Sequence, residues 1–307
     1  MNGILNILKP PGMTSHDVVS QIRRITGIKR IGHTGTLDPA AAGVLVILIG
    51  KATRLSEYLV VDDKIYRGEI TFGVTTDTQD STGNIIERQN AVLERESIEK
   101  VFASFIGEQQ QIPPMVSAVK YKGKRLYKLA RQGKKINLPP RKVYIYTLRL
   151  LKYNSGCNNR LNTRVLFECH CSKGTYIRTL ASDIGEHMGC GGHLSFLVRT
   201  KTGPFNLEES ITIERLTKER DINSLLLPMS CVLSGLPVVF ATLEQEKDVS
   251  VGKDILLNRS GEEKYTYFKE GITVRIESKK GRLLAIAEVG NVESSMYIRL
   301  KMNKVFI

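Results

Sequence analysis

The chain has no tryptophan in 307 residues, so any stacking on a nucleobase falls to Tyr, Phe, His or Arg. Its five cysteines (Cys157, Cys169, Cys171, Cys190 and Cys231) are odd in number and contain no CxxC spacing, which argues against a disulfide framework and against a zinc ribbon. Long apolar runs are missing as well. The longest, from Ala40 to Gly50, ends at Lys51 and falls far short of the ~20 residues that cross a bilayer. Residues 1 to 9 show neither a basic start nor a small-residue cleavage site, so no secretory signal is expected and the cytoplasm is the expected compartment. Acidic residues are scarce too: 31 Asp and Glu face 45 Lys and Arg, a net charge of +14. That imbalance selects polyanionic partners, nucleic acid first.

Apolar content of 41% and charged content of 25% are those of a folded globular protein. Lys9-Pro10-Pro11-Gly12 reads as a turn, after which Thr14 or Ser15 caps a helix with Val18, Val19, Ile22 and Ile25 on one face and Gly27 at its end. The apolar run from Ala40 is a buried strand or a helix, and periodicity does not choose. From Ile65 the pattern alternates, with Tyr66, Gly68, Ile70, Phe72 and Val74 on one face. Residues 94–106 read as a helix, Val143 to Tyr153 and Arg164 to Cys171 as strands, and Thr175 as the cap of a helix carrying Ile177, Leu180, Ala181, Ile184 and Met188. After Pro237 come short alternating strands at Ile272 to Glu277, Arg282 to Val289 and Tyr297 to Leu300. The expectation is an α+β chain with a small, mostly β domain at its end.

Several residues carry possible chemistry. Asp38 sits before Pro39 in a loop with two glycines, where a carboxylate can be held rigidly for nucleophilic or acid-base work; an Asp in that position also caps helices and turns, and both roles stay open. Arg178, near the start of its helix and off the apolar stripe, suits either a bidentate carboxylate pair or a solvated surface. Tyr66 fits a core aromatic or a stacking platform, and His33 a structural or a functional loop histidine. In Cys169-His170-Cys171 strand alternation sends the histidine away from both thiols, which speaks against a metal. Between Lys120 and Lys135, eight of sixteen residues are basic, none is acidic, and Tyr121 and Tyr127 are interleaved. This segment, with Lys120, Lys122, Lys124 and Arg125 at its start, is the expected grip on nucleic acid.

Five blocks taken together, Lys9 to His16, Gly32 to Leu45, Lys64 to Gly68, Pro113 to Lys120 and Gly174 to Gly185, closely resemble the bacterial TruB family of tRNA pseudouridine-55 synthases. The resemblance implies an isomerase that converts one uridine of the tRNA TΨC loop to pseudouridine, with base flipping and no cofactor or metal. It places the nucleophile at Asp38, the stacking tyrosine at Tyr66, the aspartate-pairing arginine at Arg178, and further substrate contacts at His33, Tyr176 and Leu197. It implies an α+β pseudouridine-synthase catalytic domain with a long mixed sheet over residues 1–236, a basic thumb-like insertion at about 113–142, and a PUA-like RNA-binding domain over 237–307. The implied partner is tRNA, held at the TΨC stem-loop and, through the C-terminal domain, at the acceptor stem, by a monomer with no obligate protein partner and no membrane. Val116 departs from the family, many of whose members carry an aromatic there. A different class of function, an RNA-binding chaperone of tRNA folding, suits the charge equally well but gives no reason for the set Asp38, Tyr66 and Arg178.

Overall fold

The computed structural model describes residues 1–59, 63–117, 119–121, 123–126, 129, 132, 136, 138–155, 162–258, 268–290 and 297–307. Its main sheet begins with β1 (Gly3–Lys9), which leads through helix α1 (Ser15–Thr26) to the short β2 (Ile31–His33) and then β3 (Ala42–Ile49). Thr14 caps α1: its hydroxyl accepts from the Asp17 N–H while the Asp17 carboxylate accepts from the Thr14 N–H. Gly27 ends the helix with a φ of 69°, a left-handed conformation that a side chain would resist. Ser15, the other expected cap, is instead buried inside the helix and bonds the Leu37 backbone.

The Ala40–Gly50 run resolves as a strand because it is covered on both faces. Leu45, Ile47 and Ile49 pack with α1, while Val44, Val46 and Leu48 pack with Ile4, Leu59 and Phe205. A strand buried twice loses its polar alternation, the one signal that would have marked it.

β4 (Lys64–Phe72), the β5–β6 hairpin (Val74–Thr76 and Ile85–Arg88), helix α2 (Arg95–Ser104) and β7 (Gly107–Gln111) follow. Next come the two-residue strands β8 (Lys120–Tyr121) and β9 (Lys124–Arg125), then β10 (Arg141–Asn154), β11 (Arg164–Cys171), helix α3 (Ile177–His187) and β12 (Gly192–Thr202). The sheet order is β1-β3-β12-β4-β11-β10-β7, antiparallel except where β12 runs parallel to β3. Helices α2 and α3 cover one face over a core that includes Ile70, Phe72, Phe102, Phe167 and Leu180. Cys169 and Cys171 point into that core and His170 to the opposite face, where its ring lies 4.7 Å from that of Tyr146.

The start of α3 departs from expectation. Thr175 does not cap it; its hydroxyl donates to the Ser172 carbonyl, and Tyr176 occupies the capping position without a side-chain cap. Gln111 takes over, accepting from the Tyr176 N–H at 3.0 Å and donating to the Tyr176 carbonyl at 3.3 Å. A partner 65 residues away in sequence satisfies the helix end, so local pattern had no means of showing it.

Beyond Leu236 lies a separate five-stranded sheet. β13 (Val238–Ala241), helix α4 (Leu243–Ser250), β14 (Ile255–Asn258), β15 (Thr273–Ser278), β16 (Leu283–Val289) and β17 (Tyr297–Val305) assemble in the order β13-β15-β16-β17-β14 around their own apolar core. The three expected strands are present; β13, β14 and α4 were not foreseen. Leu55, Leu233, Leu283, Ile286 and Phe306 join this sheet to the larger part of the chain, and Arg54 caps the contact by donating to the Val305 carbonyl at 2.6 Å. Lys304 closes it by pairing with Glu57. Among the described residues no helix is long and apolar enough to cross a membrane.

Candidate active site

Asp38 stands where the loop after β2 turns toward β3, and the loop is pinned from several sides. Ser15 Oγ donates to the Leu37 carbonyl at 3.1 Å and accepts from the Leu37 N–H at 2.9 Å. Lys9, fully buried, donates through Nζ to the carbonyls of Pro10, Pro39 and Ala41 at 2.8, 3.3 and 2.7 Å. Three donors meet three acceptors, two of them just after the aspartate and one in the turn at Pro10, which ties the two segments together. Burial lowers the Lys9 pKa to about 8, and the nearby Asp38 charge opposes that shift.

The carboxylate itself is held by Arg178. Nε lies 2.9 Å from Oδ2 and Nη2 lies 3.2 Å from Oδ1, a bidentate fork. The rest of the guanidinium is also engaged: Nη1 donates to the Thr78 carbonyl at 3.2 Å and lies 3.7 Å from Asp80 Oδ2, and Nη2 donates to the Val116 carbonyl at 2.9 Å. Arg178 is thus 4% exposed, a buried pairing residue and not a solvated one. Burial raises the Asp38 pKa above the ordinary carboxylate value; Arg178 pulls it down and Asp80 pushes it up. The Asp38 side chain keeps 38% of its exposure, so a substrate can reach it.

Tyr66, on the inward face of β4, is buried, and its hydroxyl meets the guanidinium of Arg199. Burial pushes that hydroxyl up to about 12, so the ring is a neutral phenol at working pH. Arg199 is 1% exposed and also donates to the carbonyls of Val44 (2.8 Å), Gly35 (3.0 Å) and Thr36 (3.5 Å). One side chain thereby ties Tyr66 to the loop that presents Asp38. A cavity of about 520 Å³ opens over this set, lined among others by Asp38, Tyr66, Tyr176, Arg178, Leu197 and Arg199, with Lys64, Arg141, Lys142 and Lys173 around it. A narrow annex of about 30 Å³ lies against Asp38, Asp80 and Arg178 and includes Ser81 and Ser195.

The structure therefore brings together Asp38, Tyr66, Tyr176, Arg178 and Leu197. His33 does not line the cavity; it ends β2 opposite Ile47, one residue before the lining Thr34. Of the basic segment, Lys122 and Tyr127 lie outside the described residues, and Lys120, Lys124 and Arg125 are described by backbone alone, in the β8–β9 pair. Asp80, Arg199, Lys9 and Ser15 were missed. Arg199 had a signal, since it shares the inward register of β12 with Leu197 where an apolar residue is the rule. Asp80 had none: it sits in a polar turn, its Oδ1 held by Thr78 and Thr82, and only the tertiary fold carries it to Arg178.

Comparison with known proteins matches two family models to the chain that carries this cavity. The family model described as TruB family pseudouridylate synthase (N terminal domain) matches residues 23–177, and that of the tRNA pseudouridylate synthase B C-terminal domain matches 178–234. The chain belongs to the TruB family. It is 46% identical over 295 residues to tRNA pseudouridine synthase B of Pelotomaculum thermopropionicum, covering 94% of this chain and 92% of that protein. It is 48% identical over 258 residues to the protein of the same name from Alkaliphilus oremlandii, covering 84% of each. Among solved structures it resembles an H/ACA RNP bound to a substrate RNA containing 2'-deoxyuridine (TM-score 0.72, 26% identity, 99% of this chain and 85% of that one). A Cbf5-Nop10-Gar1 complex is similar at TM-score 0.71 and 28% identity, with 99% and 85% covered. The α+β expectation agrees with these neighbours. The second family match, residues 178–234, falls on α3 and β12 of the main sheet, before the separate C-terminal sheet begins.

Proposed function

We infer that this TruB family member is a tRNA pseudouridine synthase, an isomerase, and that its target is the single TΨC-loop uridine at position 55. The observation that carries the reading is the Asp38–Arg178 fork, 2.9 and 3.2 Å, at the wall of a cavity that Tyr66 also lines. Isomerisation breaks the C1'–N1 bond of the uridine, turns the uracil in place and joins C5 to C1', with the C5 proton lost and N1 protonated. Electrons balance without an oxidant or reductant.

In this reading Asp38 is the nucleophile. Its attack on C1', its attack on C6 and its removal of the C2' proton are all open to a carboxylate so placed. Arg178 keeps Asp38 ionised and aimed, against the burial that favours the neutral acid. The neutral ring of Tyr66 stacks on the uracil, Tyr176 and Leu197 bound the base, and His33 takes the space that the flipped base leaves. Extrusion from the loop costs roughly a few kcal/mol, offset by phosphate contacts from the basic cavity rim and from Lys120, Lys122, Lys124 and Arg125. The domains are assigned as a catalytic unit over 1–236, with a thumb-like insertion at about 113–142, and a PUA-like unit over 237–307 that meets the acceptor stem. The protein works as a cytoplasmic monomer.

The test is site-resolved pseudouridine mapping on an unmodified tRNA transcript after incubation with purified protein. Product at the one TΨC-loop position is expected. Product elsewhere only would overturn the target assignment, and no product despite tight tRNA binding would favour a chaperone.

A further inference from the structure

Arg199 is a cation in the cavity wall with no acid beside it. Strand register pairs it with Tyr66 across β12 and β4, so both side chains leave the same face of the sheet, as does Leu197 two residues earlier. It is 1% exposed, and its donors go to the carbonyls of Val44 (2.8 Å), Gly35 (3.0 Å) and Thr36 (3.5 Å) and to the Tyr66 hydroxyl. Among the described residues no carboxylate pairs with it, whereas Arg178 faces both Asp38 and Asp80. A buried charge without a counter-charge is costly, and carbonyl dipoles replace only part of the hydration it loses.

That charge is not committed to the nucleophile, since burial, Arg178, Asp80 and Lys9 set the Asp38 pKa. In the function proposed above, on which this inference rests, negative charge changes place as the reaction proceeds. If Asp38 attacks C1', a carboxylate oxygen forms the new bond, the C1'–N1 pair leaves on N1, and an uncharged ester stands beside a uracil anion. If Asp38 removes the C2' proton, it becomes a neutral acid, the C2'–H pair forms a C1'–C2' double bond, and the uracil again leaves with the C1'–N1 pair. If it attacks C6, the ring pair moves through C5 to O4. By every route the charge passes from Asp38 to the base. A fixed cation on the Tyr66 side favours the later charge distribution over the earlier one, which is the condition for lowering a barrier beyond mere binding.

We propose that Arg199, from behind Tyr66, stabilises the negative charge that the uracil takes on as Asp38 gives up its own. With almost none of its surface open, Arg199 does not meet the substrate and is a positioning residue. Its guanidinium holds Tyr66 and the Asp38 loop at one spacing, and its field acts across a buried wall that screens little.

The experiment uses the full chain in single turnover on two tRNA transcripts, one with uridine and one with 5-fluorouridine at the target. Conversion is read by nucleoside chromatography, and each variant is melted. Fluorine withdraws electrons and makes the uracil anion less basic, so that substrate depends less on a fixed cation. Arg199→Gln keeps amide donors for the carbonyls but loses the charge, and Arg199→Lys keeps the charge. Arg199→Gln should lose about 10²-fold on uridine but about tenfold on 5-fluorouridine, while Arg199→Lys at neutral pH keeps the wild-type ratio between the two. A displaced Tyr66 or Asp38 loop slows both substrates alike, so equal losses in Arg199→Gln, or none, overturn the proposal. Should Arg199→Gln fail to melt cooperatively, Arg199→Lys is followed with pH. Its buried amine loses its proton in the alkaline range, so its preference for 5-fluorouridine rises above that of wild type at the same pH; a ratio that tracks wild type overturns the proposal. A wild type that converts neither transcript overturns the function reading and this inference together, whereas equal losses beside an active wild type overturn this inference alone.

Discussion

Replacing Arg178 tests how far the clamp, and not charge alone, makes Asp38 competent. Lys keeps the charge but has one nitrogen where Arg has a planar fork. The fork makes five contacts: two to Asp38, one each to the Thr78 and Val116 carbonyls, and a longer one to Asp80. A single ammonium cannot reach acceptors arrayed around a guanidinium plane, so Arg178→Lys forfeits at least one arm of the Asp38 fork and one carbonyl. At about 1.5–3 kcal/mol per charged hydrogen bond, two lost bonds cost about 3–6 kcal/mol of stability, less what local water restores. On the reaction, losing orientation and one donor lowers kcat by about 10²-fold, the scale of removing one preorganised donor. Arg178→Met goes further and leaves Asp38 with burial and Asp80 both raising its pKa. In the proposed reaction Asp38 acts as the ionised carboxylate, so a raised pKa moves the acid limb of the rate profile to higher pH, and activity at neutral pH recovers partly as pH rises. The assay is tritium release from tRNA labelled at uridine C5, across pH, with a thermal melt of each variant. A lysine variant with kcat within twofold of wild type, or a methionine variant whose acid limb does not move up, would refute the reasoning.

Three other perturbations have definite signs. Asp80→Asn preserves the bonds that Oδ1 accepts from Thr78 and Thr82 but removes a charge that raises the Asp38 pKa, so the acid limb moves to lower pH; a limb that moves up contradicts the geometry. Gly43 has a φ of 113°, and a Cβ there would lie 2.2 Å from the Arg199 carbonyl oxygen, so Gly43→Ala displaces β12 and lowers Tm sharply; an unchanged melt would show that the two strands do not approach so closely. Neutralising Lys122, Lys124 and Arg125 together flattens the salt dependence of tRNA binding by about 2–3 in log Kd against log salt, and an unchanged slope places the phosphate grip elsewhere, with the cavity rim of Arg141, Lys142 and Lys173 next in line.

What the sequence disclosed follows from how local each cause is. α1 was legible, apart from the choice between Thr14 and Ser15 as its cap, because its cap, apolar stripe and terminal glycine are all local. β3 was not, since burial on both faces erases the alternation that distinguishes a strand. The cap of α3 was assigned to Thr175 while the bond comes from Gln111, a partner that only the closed sheet supplies. Asp38, Tyr66 and Arg178 each carried a bland local reading beside the functional one, and it was the order of five blocks, not any one residue, that favoured function. The structure adds the residues that make those three a unit. Arg199 was hidden in plain alternation, and Asp80 and Lys9 reach the site only through the fold.

The central claim is that Asp38, ionised and aimed by Arg178, performs the isomerisation. Asp38→Asn keeps shape and hydrogen-bonding reach while removing the nucleophile, so the direct measurement is pseudouridine mapping on unmodified tRNA with this variant beside wild type, together with tRNA affinity for both. The account predicts pseudouridine at the TΨC-loop position with wild type, none with Asp38→Asn, and Kd values within a fewfold of each other. Conversion by Asp38→Asn at a rate comparable to wild type would contradict it.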